Sequence, residues 1–354
     1  MAPNGSAGVV IRSTTALVQV RVAAEDARGK PVTDLRQQDF EVQDDRKPQP
    51  IAAFSADRGA AAASGLNGPV EKQTPAVTDR EPGYALLVLD WLNTKYADRV
   101  SVQDEVVKLV QSFQPGQKVG LFVLSHEPGL PTPYTSDMSL LAQIAAKADL
   151  DPSDMGVDSP GFFSARYGGR PAVQSREMQI SDWNKKVQDS FRALEAMAER
   201  LARLPGRKSL IWLSAGFPIQ IDGKVVPGLA GIEKSYRQRF EKLIDMLNRA
   251  DVAVYSIDAR GLTAGGGGLP LRSRGYLETM MEAAERTGGT AFYDRNDLGE
   301  GVRLALEDHR LGYTLAFRVP DHASLGDHDI RVSVKRPGVR LRYRESYQLV
   351  NSIK

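Results

Sequence analysis

A mainly parallel β-sheet with helices on both faces, inserted into a β-sandwich made by the two ends of the chain, is the fold predicted by three features. Strand-like and helix-like patterns alternate from Tyr84 to about Leu311, as in a parallel sheet built from crossover units. Short alternating strands with Gly/Pro punctuation occupy Thr15 to Phe54, and β-patterning returns from Gly312 to Lys354. Neither end holds many strands, and small separate sheets are marginal, so pairing the two ends is the economical solution. This divides the chain into an N-terminal β segment (1–54), a linker (55–82), an α/β domain (83–311) and a C-terminal β segment (312–354).

The N-terminal strands begin with Leu17, Val18, Val20, Val22 and Ala24. Phe40 and Val42 share the inner face of a second strand, which ends in an acidic turn at Asp44-Asp45, and Pro50–Phe54 forms another. Ser55 to Pro82 is rich in Ala, Gly, Pro and Thr without periodicity, a composition that buries too little apolar area to offset its ordering entropy. Tyr84–Asp90 then opens the α/β region as an apolar strand closed by a carboxylate. Val100, Val106, Val107, Val110 and Phe113 mark the first helix, and Lys118–Leu124 the next strand.

Asp151 to Gln179 reads as an irregular stretch. Trp183, Val187, Phe191, Leu194, Met197, Leu201 and Leu204 recur at helical spacing until Pro205-Gly206. Ser209–Leu213 is a strand, Ile232 to Leu247 a helix, Val252–Ile257 a strand ending at Asp258. Tyr276–Arg286 is a helix ended by Thr287-Gly288-Gly289. Thr290–Tyr293 is the last parallel strand and Leu298–Asp308 the closing helix. The C-terminal strands are Tyr313–Phe317, Ile330–Val334 and Val339–Tyr343, with Arg336-Pro337-Gly338 as the turn between the last two.

Composition excludes several function classes. The 354 residues carry a net charge of +2 with Lys and Arg scattered, unlike the basic face of a nucleic-acid binder. No apolar stretch approaches the ~18 residues of a membrane span. With no cysteine, disulfides, thiol catalysis and Cys-ligated zinc are absent. The first eight residues show neither a basic nor an apolar leader region.

Catalytic signatures fail on context. Ser125-His126-Glu127 holds triad residue types, but consecutive residues on an extended chain point in alternate directions. No Gly-x-Ser-x-Gly elbow occurs. Gly206-Arg207-Lys208-Ser209 follows a helix and opens a strand, the reverse of a phosphate-binding loop. Gly265–Gly268 reads as a flexible loop. Asp321, His322, Asp327, His328 and Asp329 cluster between two strands, where a polar turn is the commoner reading and a metal the sharper one. Phe162, Phe163 and Tyr167 in the long irregular stretch either anchor a partner or cover a sheet edge.

Ordered motifs carry a resemblance. Gly29–Leu35 with Asp39–Val42, Leu89–Thr94, Leu204–Pro218, Ser256–Leu262, Thr287–Tyr293 and Arg336–Arg340 run almost the length of the chain. In that order the sequence resembles bacterial "VWFA-related" proteins, and its α/β region resembles a von Willebrand factor type A domain, a Rossmann-like fold. Such domains hold a divalent cation, typically Mg²⁺, with an Asp-x-Ser-x-Ser loop, a Thr and a further Asp, all hard oxygen ligands. Carried over, the resemblance implies Asp90 as the first ligand and Thr94 for the second Ser, with Asn93 and Ser214 as substitute oxygens. Leu92 stands where the first Ser belongs, and Ala215 where the further Asp does.

The sequence therefore favours a structural Asp90 that hydrogen-bonds loop amides, with a weak Mg²⁺ site as the alternative. The resemblance implies a non-enzymatic, extracytoplasmic interaction or adhesion module, periplasmic or secreted, its leader removed. Its protein partner would meet Asp90, Asn93, Thr94, Ser125, His126 and Ser214, with Phe162, Phe163 and Tyr167 nearby. A Mg²⁺-dependent adhesion module, a structural subunit of a larger assembly and, last, a hydrolase are the alternatives.

Overall fold

The computed structural model describes residues 17–58, 83–112, 118–125, 131–148, 172–217, 219, 230–260, 271–293, 298–307, 311–319 and 324–349. Four strands precede the α/β domain: β1 (Leu17–Glu25), β2 (Phe40–Asp44), β3 (Lys47–Gln49) and β4 (Ile51–Arg58). The domain itself runs β5 (Tyr84–Asp90), α1 (Tyr96–Ser112), β6 (Lys118–Leu124), α2 (Met138–Ala146), α3 (Ala172–Ala202), β7 (Lys208–Ser214), α4 (Ala230–Arg249), β8 (Val252–Asp258), α5 (Leu271–Arg286), β9 (Ala291–Phe292) and α6 (Leu298–Glu307). After it come β10 (Leu311–Arg318), β11 (Gly326–Val334), β12 (Arg340–Arg342) and β13 (Ser346–Leu349).

The ends of the chain form the sandwich. One sheet has the order β12-β1-β10-β4 and the other β13-β11-β2-β3, so each sheet contains strands from both sides of the α/β domain. Alternation does the work: Val18, Val20, Val22 and Ala24 point inward from β1, and Phe40 and Val42 from β2, to meet Leu315, Phe317, Ile330 and Val332. Leu17 is half exposed on the outer face, one residue out of phase with its neighbours.

Tyr313 locks this core. Its ring lies against Phe40 and Phe54, while its hydroxyl donates to the Val32 carbonyl (2.8 Å) and accepts the Leu35 amide (3.0 Å). Tyr313→Phe leaves both backbone groups short of a partner, and urea unfolding should record a loss of about 1–2 kcal/mol.

The central sheet is five-stranded and parallel, with the order β6-β5-β7-β8-β9. Its strands are continuous apolar runs because both faces are covered. Leu86, Val88, Trp212 and Val254 face one layer, where α3 and α4 contribute Phe191, Leu194, Tyr236 and Phe240. Leu87, Leu89, Ile211 and Tyr255 face the other, built by Val102, Val106, Leu141 and Val302 of α1, α2 and α6. The chain leaves β5 toward β6 on one side and returns to β7 on the other. The carboxyl end of β5 is therefore the topological switch point of the sheet.

Several boundaries differ from the sequence-based expectation. Strand β4 extends to Arg58 by pairing with β10, so the first residues of the expected linker are sheet. Helix α3 begins at Ala172, which removes 172–179 from the expected irregular stretch; Ala, Gln, Glu and Met there are good helix formers. Helix α5 likewise starts at Leu271 rather than Tyr276, and β9 is only two residues long. Val100 is 40% exposed, whereas Val102, Val106, Leu109 and Val110 form the buried face of α1. That face also carries Gln103, whose amide caps the Ala145 and Ala148 carbonyls at the end of α2, and this blurs its apolar stripe. Helix α2, capped by Asp137 at the Leu140 amide (3.0 Å), and strand β13 on the edge of β11 had no distinct pattern in the sequence.

Candidate functional site

Asp90 ends β5 at the switch point and is fully buried. The chain then turns tightly: the Trp91 amide donates to the Leu89 carbonyl (3.1 Å) and the Leu92 amide to the Leu124 carbonyl (2.9 Å). The second bond ties the loop to the neighbouring β6 and sends the Leu92 side chain into the core beside α3 and α4. The position that would hold a ligand hydroxyl is thus an apolar anchor.

Donors surround the Asp90 carboxylate. Oδ1 accepts the Asn93 backbone amide (3.0 Å) and the Asn93 Nδ2 (3.1 Å). Oδ2 accepts the same Nδ2 (2.9 Å), the Trp212 indole Nε1 (3.0 Å) and the Ser214 hydroxyl (2.8 Å). Asn93 Nδ2 also reaches Ser190 Oγ on α3 (3.0 Å). Burial nonetheless raises the Asp90 pKa, and these hydrogen bonds pull against it.

Thr94 and Ser214 are committed as well. Thr94 Oγ1 accepts the Ala215 amide (3.2 Å), and its carbonyl accepts Arg99 Nε (2.7 Å). Ser214 Oγ accepts the Gly216 amide (3.2 Å). Asp90, Asn93, Thr94 and Ser214 therefore form one hydrogen-bonded unit that joins the loops after β5 and β7. Ser125 stands at the end of β6, half-buried. His126, Phe162, Phe163 and Tyr167 lie outside the described residues, as does the Gly265–Gly268 run.

The arrangement fits a scaffold and not a cation cradle. A cation needs oxygen lone pairs directed at one vacant point, and here indole, amide and hydroxyl hydrogens are directed at the only carboxylate of the unit. Leu92 and Ala215 add no ligand atom. At the next strand, Asp258 is closed off too: Arg260 makes a two-pronged ion pair with it (Nε to Oδ1 and a terminal nitrogen to Oδ2, each 2.8 Å). This strand-end pair lies beside Ser214 in register and was not singled out in the sequence; an Asp-x-Arg spacing at a strand end was its only signal.

The other sequence candidates also find places. Arg207 donates to the Gly288 carbonyl and Lys208 Nζ to the Leu204 carbonyl, consistent with a helix-to-strand turn rather than a phosphate loop. Of the acidic and histidine cluster, Asp321 and His322 lie outside the described residues. Asp327 pairs with Arg249 (3.0 Å). His328 turns inward from β11, away from its sequence neighbours, and meets Asp44 and Asp45 at the end of β2. That trio is a possible metal-binding group.

The sequence matches no family model and no curated protein. Among solved structures, an aerotolerance-related membrane protein from Bacteroides fragilis shares 14% identity, with 65% of this chain and 100% of that one covered at a TM-score of 0.36. BatB from Bacteroides thetaiotaomicron shares 12% over 64% and 99% of the two chains, at 0.32. A von Willebrand factor type A protein from Catenulispora acidiphila shares 8% over 75% and 66%, also at 0.32. At such scores these are similarities only, and the fold assignment rests on topology. Five parallel strands in the order β6-β5-β7-β8-β9, helices on both faces and an acidic corner at the switch point make the central domain the Rossmann-like α/β fold expected from the sequence, set within a sandwich closed by the two ends of the chain.

Proposed function

We propose that this protein is a non-enzymatic interaction module acting outside the cytoplasm, which docks a protein partner on the carboxyl-end face of its central sheet without a bridging cation. The observation that supports this most is the commitment of Asp90: its oxygens hold the β5 and β7 loops rigid through Trp212, Ser214 and Asn93. A preorganised loop surface is what a docking face requires, because less ordering entropy opposes association. Around that unit the rim offers exposed Lys95 and half-buried Asn93, Ser125, Ala215 and Arg260. Among the described residues, no helix is long and apolar enough to cross a membrane.

The test uses the full chain as immobilised bait against an extracytoplasmic extract of the source organism. A defined protein retained by the wild type should be lost with Ala215→Arg, which adds bulk to the rim, while the melting temperature stays unchanged. Equal retention by both proteins overturns the reading. So does turnover of a hydrolase substrate that is abolished by Asp90→Asn.

A Mg²⁺-dependent adhesion site requires Trp212 and Asn93 to swing away from Asp90. The expected result is no shift in melting temperature at millimolar Mg²⁺, because a ligand of the folded state alone raises it. A Mg²⁺ shift that disappears in Thr94→Ala would establish the adhesion site instead.

A further inference from the structure

The turn after β2 and the strand β11 bring three ligand-type atoms to one point in the sandwich, far from the strand-end face. Asp44 Oδ1 lies 3.1 Å and Asp45 Oδ2 3.0 Å from His328 Nδ1, and the three fall within 4.8 Å of one another. Around a tetrahedral zinc with bonds of about 2.1 Å, neighbouring ligand atoms are roughly 3.4 Å apart. The observed spacings are close to that before any ion draws the groups into place.

Each inward-facing atom is oriented by a hydrogen bond on the far side of its own group. His328 Nε2 lies 2.7 Å from the Ser324 carbonyl, which only accepts, so Nε2 carries a proton. In the neutral ring that tautomer leaves a bare lone pair on Nδ1, aimed at two carboxylate oxygens and at no donor. His328 is 3% exposed. Asp44 Oδ2 accepts the Tyr347 hydroxyl (3.0 Å), and Asp45 Oδ1 accepts the Asp329 amide (3.0 Å). The Tyr347 ring stacks on the imidazole at 4.9 Å and fixes its plane. A backbone carbonyl behind the histidine and donors behind the carboxylates are the outer supports that metal-ligating groups characteristically have.

We propose that Asp44, Asp45 and His328 bind a divalent transition-metal ion, zinc being the best match to one imidazole and two carboxylates. The Asp45 side chain is 44% exposed, which gives the ion an entry path and leaves a solvent-side coordination position. Because Asp44 and His328 are 284 residues apart in sequence, the ion would staple the N-terminal β2 turn to the C-terminal β11. Its role is therefore structural, and it stands apart from the docking face.

The alternative occupant of the same point is a proton on Nδ1, which would make the trio an ion pair. Zn²⁺ added to the metal-stripped full chain at neutral pH, followed by calorimetry and thermal melting, separates the two. One equivalent should bind and raise the melting temperature. His328→Gln should weaken binding at least tenfold. Asp45→Asn should do the same, and it is the variant that keeps the fold, since Asn tolerates the positive φ of 48° at that position. Asp327→Asn, next to the site but outside it, should bind like the wild type. Absence of saturable Zn²⁺ binding, or equal binding by Asp45→Asn, overturns the proposal and leaves the trio as an ion pair.

Discussion

Asp90→Ala should lower the stability of the protein by about 3 kcal/mol or more, as a shift of the urea midpoint. The substitution removes the shared acceptor of the Trp212 indole, the Ser214 hydroxyl and both nitrogens of Asn93. Each buried donor left without a partner costs roughly 1–3 kcal/mol, and a cavity opens where the carboxylate stood. Relief of the buried charge offsets part of this, because burial raises the Asp90 pKa above the ordinary 3.8.

That shift sets the pH dependence. A group whose folded-state pKa is raised contributes stability that is fully present below the unfolded value and is lost as pH rises through the folded value. The stability difference between wild type and Asp90→Ala should therefore shrink from pH 4 to pH 8. A difference that grew with pH would mean that the hydrogen bonds outweigh the burial of the charge.

Gly289→Ala should be at least as damaging, with a loss above about 3 kcal/mol or failure to accumulate as soluble protein. A Cβ at this position would lie 1.8 Å from the Val254 carbonyl oxygen and 2.7 Å from its carbon. Both belong to the backbone of β8, which is paired on both sides by β7 and β9, so no side chain can rotate aside. The preceding Gly288, at φ +73°, would place a Cβ 2.6 Å from the backbone of Tyr343 in the sandwich, and the pair is where the end of α5 is pressed between the two units. Gly206→Ala supplies the contrast. Gly206 also has a positive φ, but nothing lies within 4 Å of an added Cβ, so only the left-handed backbone cost of about 1–2 kcal/mol applies. A loss in Gly289→Ala no larger than in Gly206→Ala would show that the backbone around Gly289 shifts to admit the methyl group.

The α/β domain was legible because its signals are local and repeated. Leu86 to Leu89 and Leu210 to Leu213 are apolar runs of strand length, and Val187, Phe191, Leu194 and Leu201 repeat at helical spacing, so element type follows from period alone. Elements with mixed faces were harder. The buried side of α1 includes Arg99 and Gln103, which hides its apolar face, and β13 has four residues whose identity as a strand depends on β11. At the candidate site, Asp90 was recognised by its position at a strand end, and Thr94 and Ser214 through the resemblance. Trp212 as a partner of Asp90 was not, because an indole in an apolar strand reads as core until its nitrogen is placed.

By itself the sequence determined most of the strands and helices, α2 and β13 apart, and the placement of Asp90 at the end of a buried strand. Each follows from residue type and spacing, which are properties of short segments. Only the tertiary structure decided what those residues face. Asp90 is surrounded by donors from β7 and from its own loop, and His328 leaves the acidic segment around it to join Asp44 and Asp45. The pairings of Asp90 with β7 and of His328 with Asp44 and Asp45 join residues more than a hundred positions apart, and nothing in a local period encodes which distant strand will lie alongside.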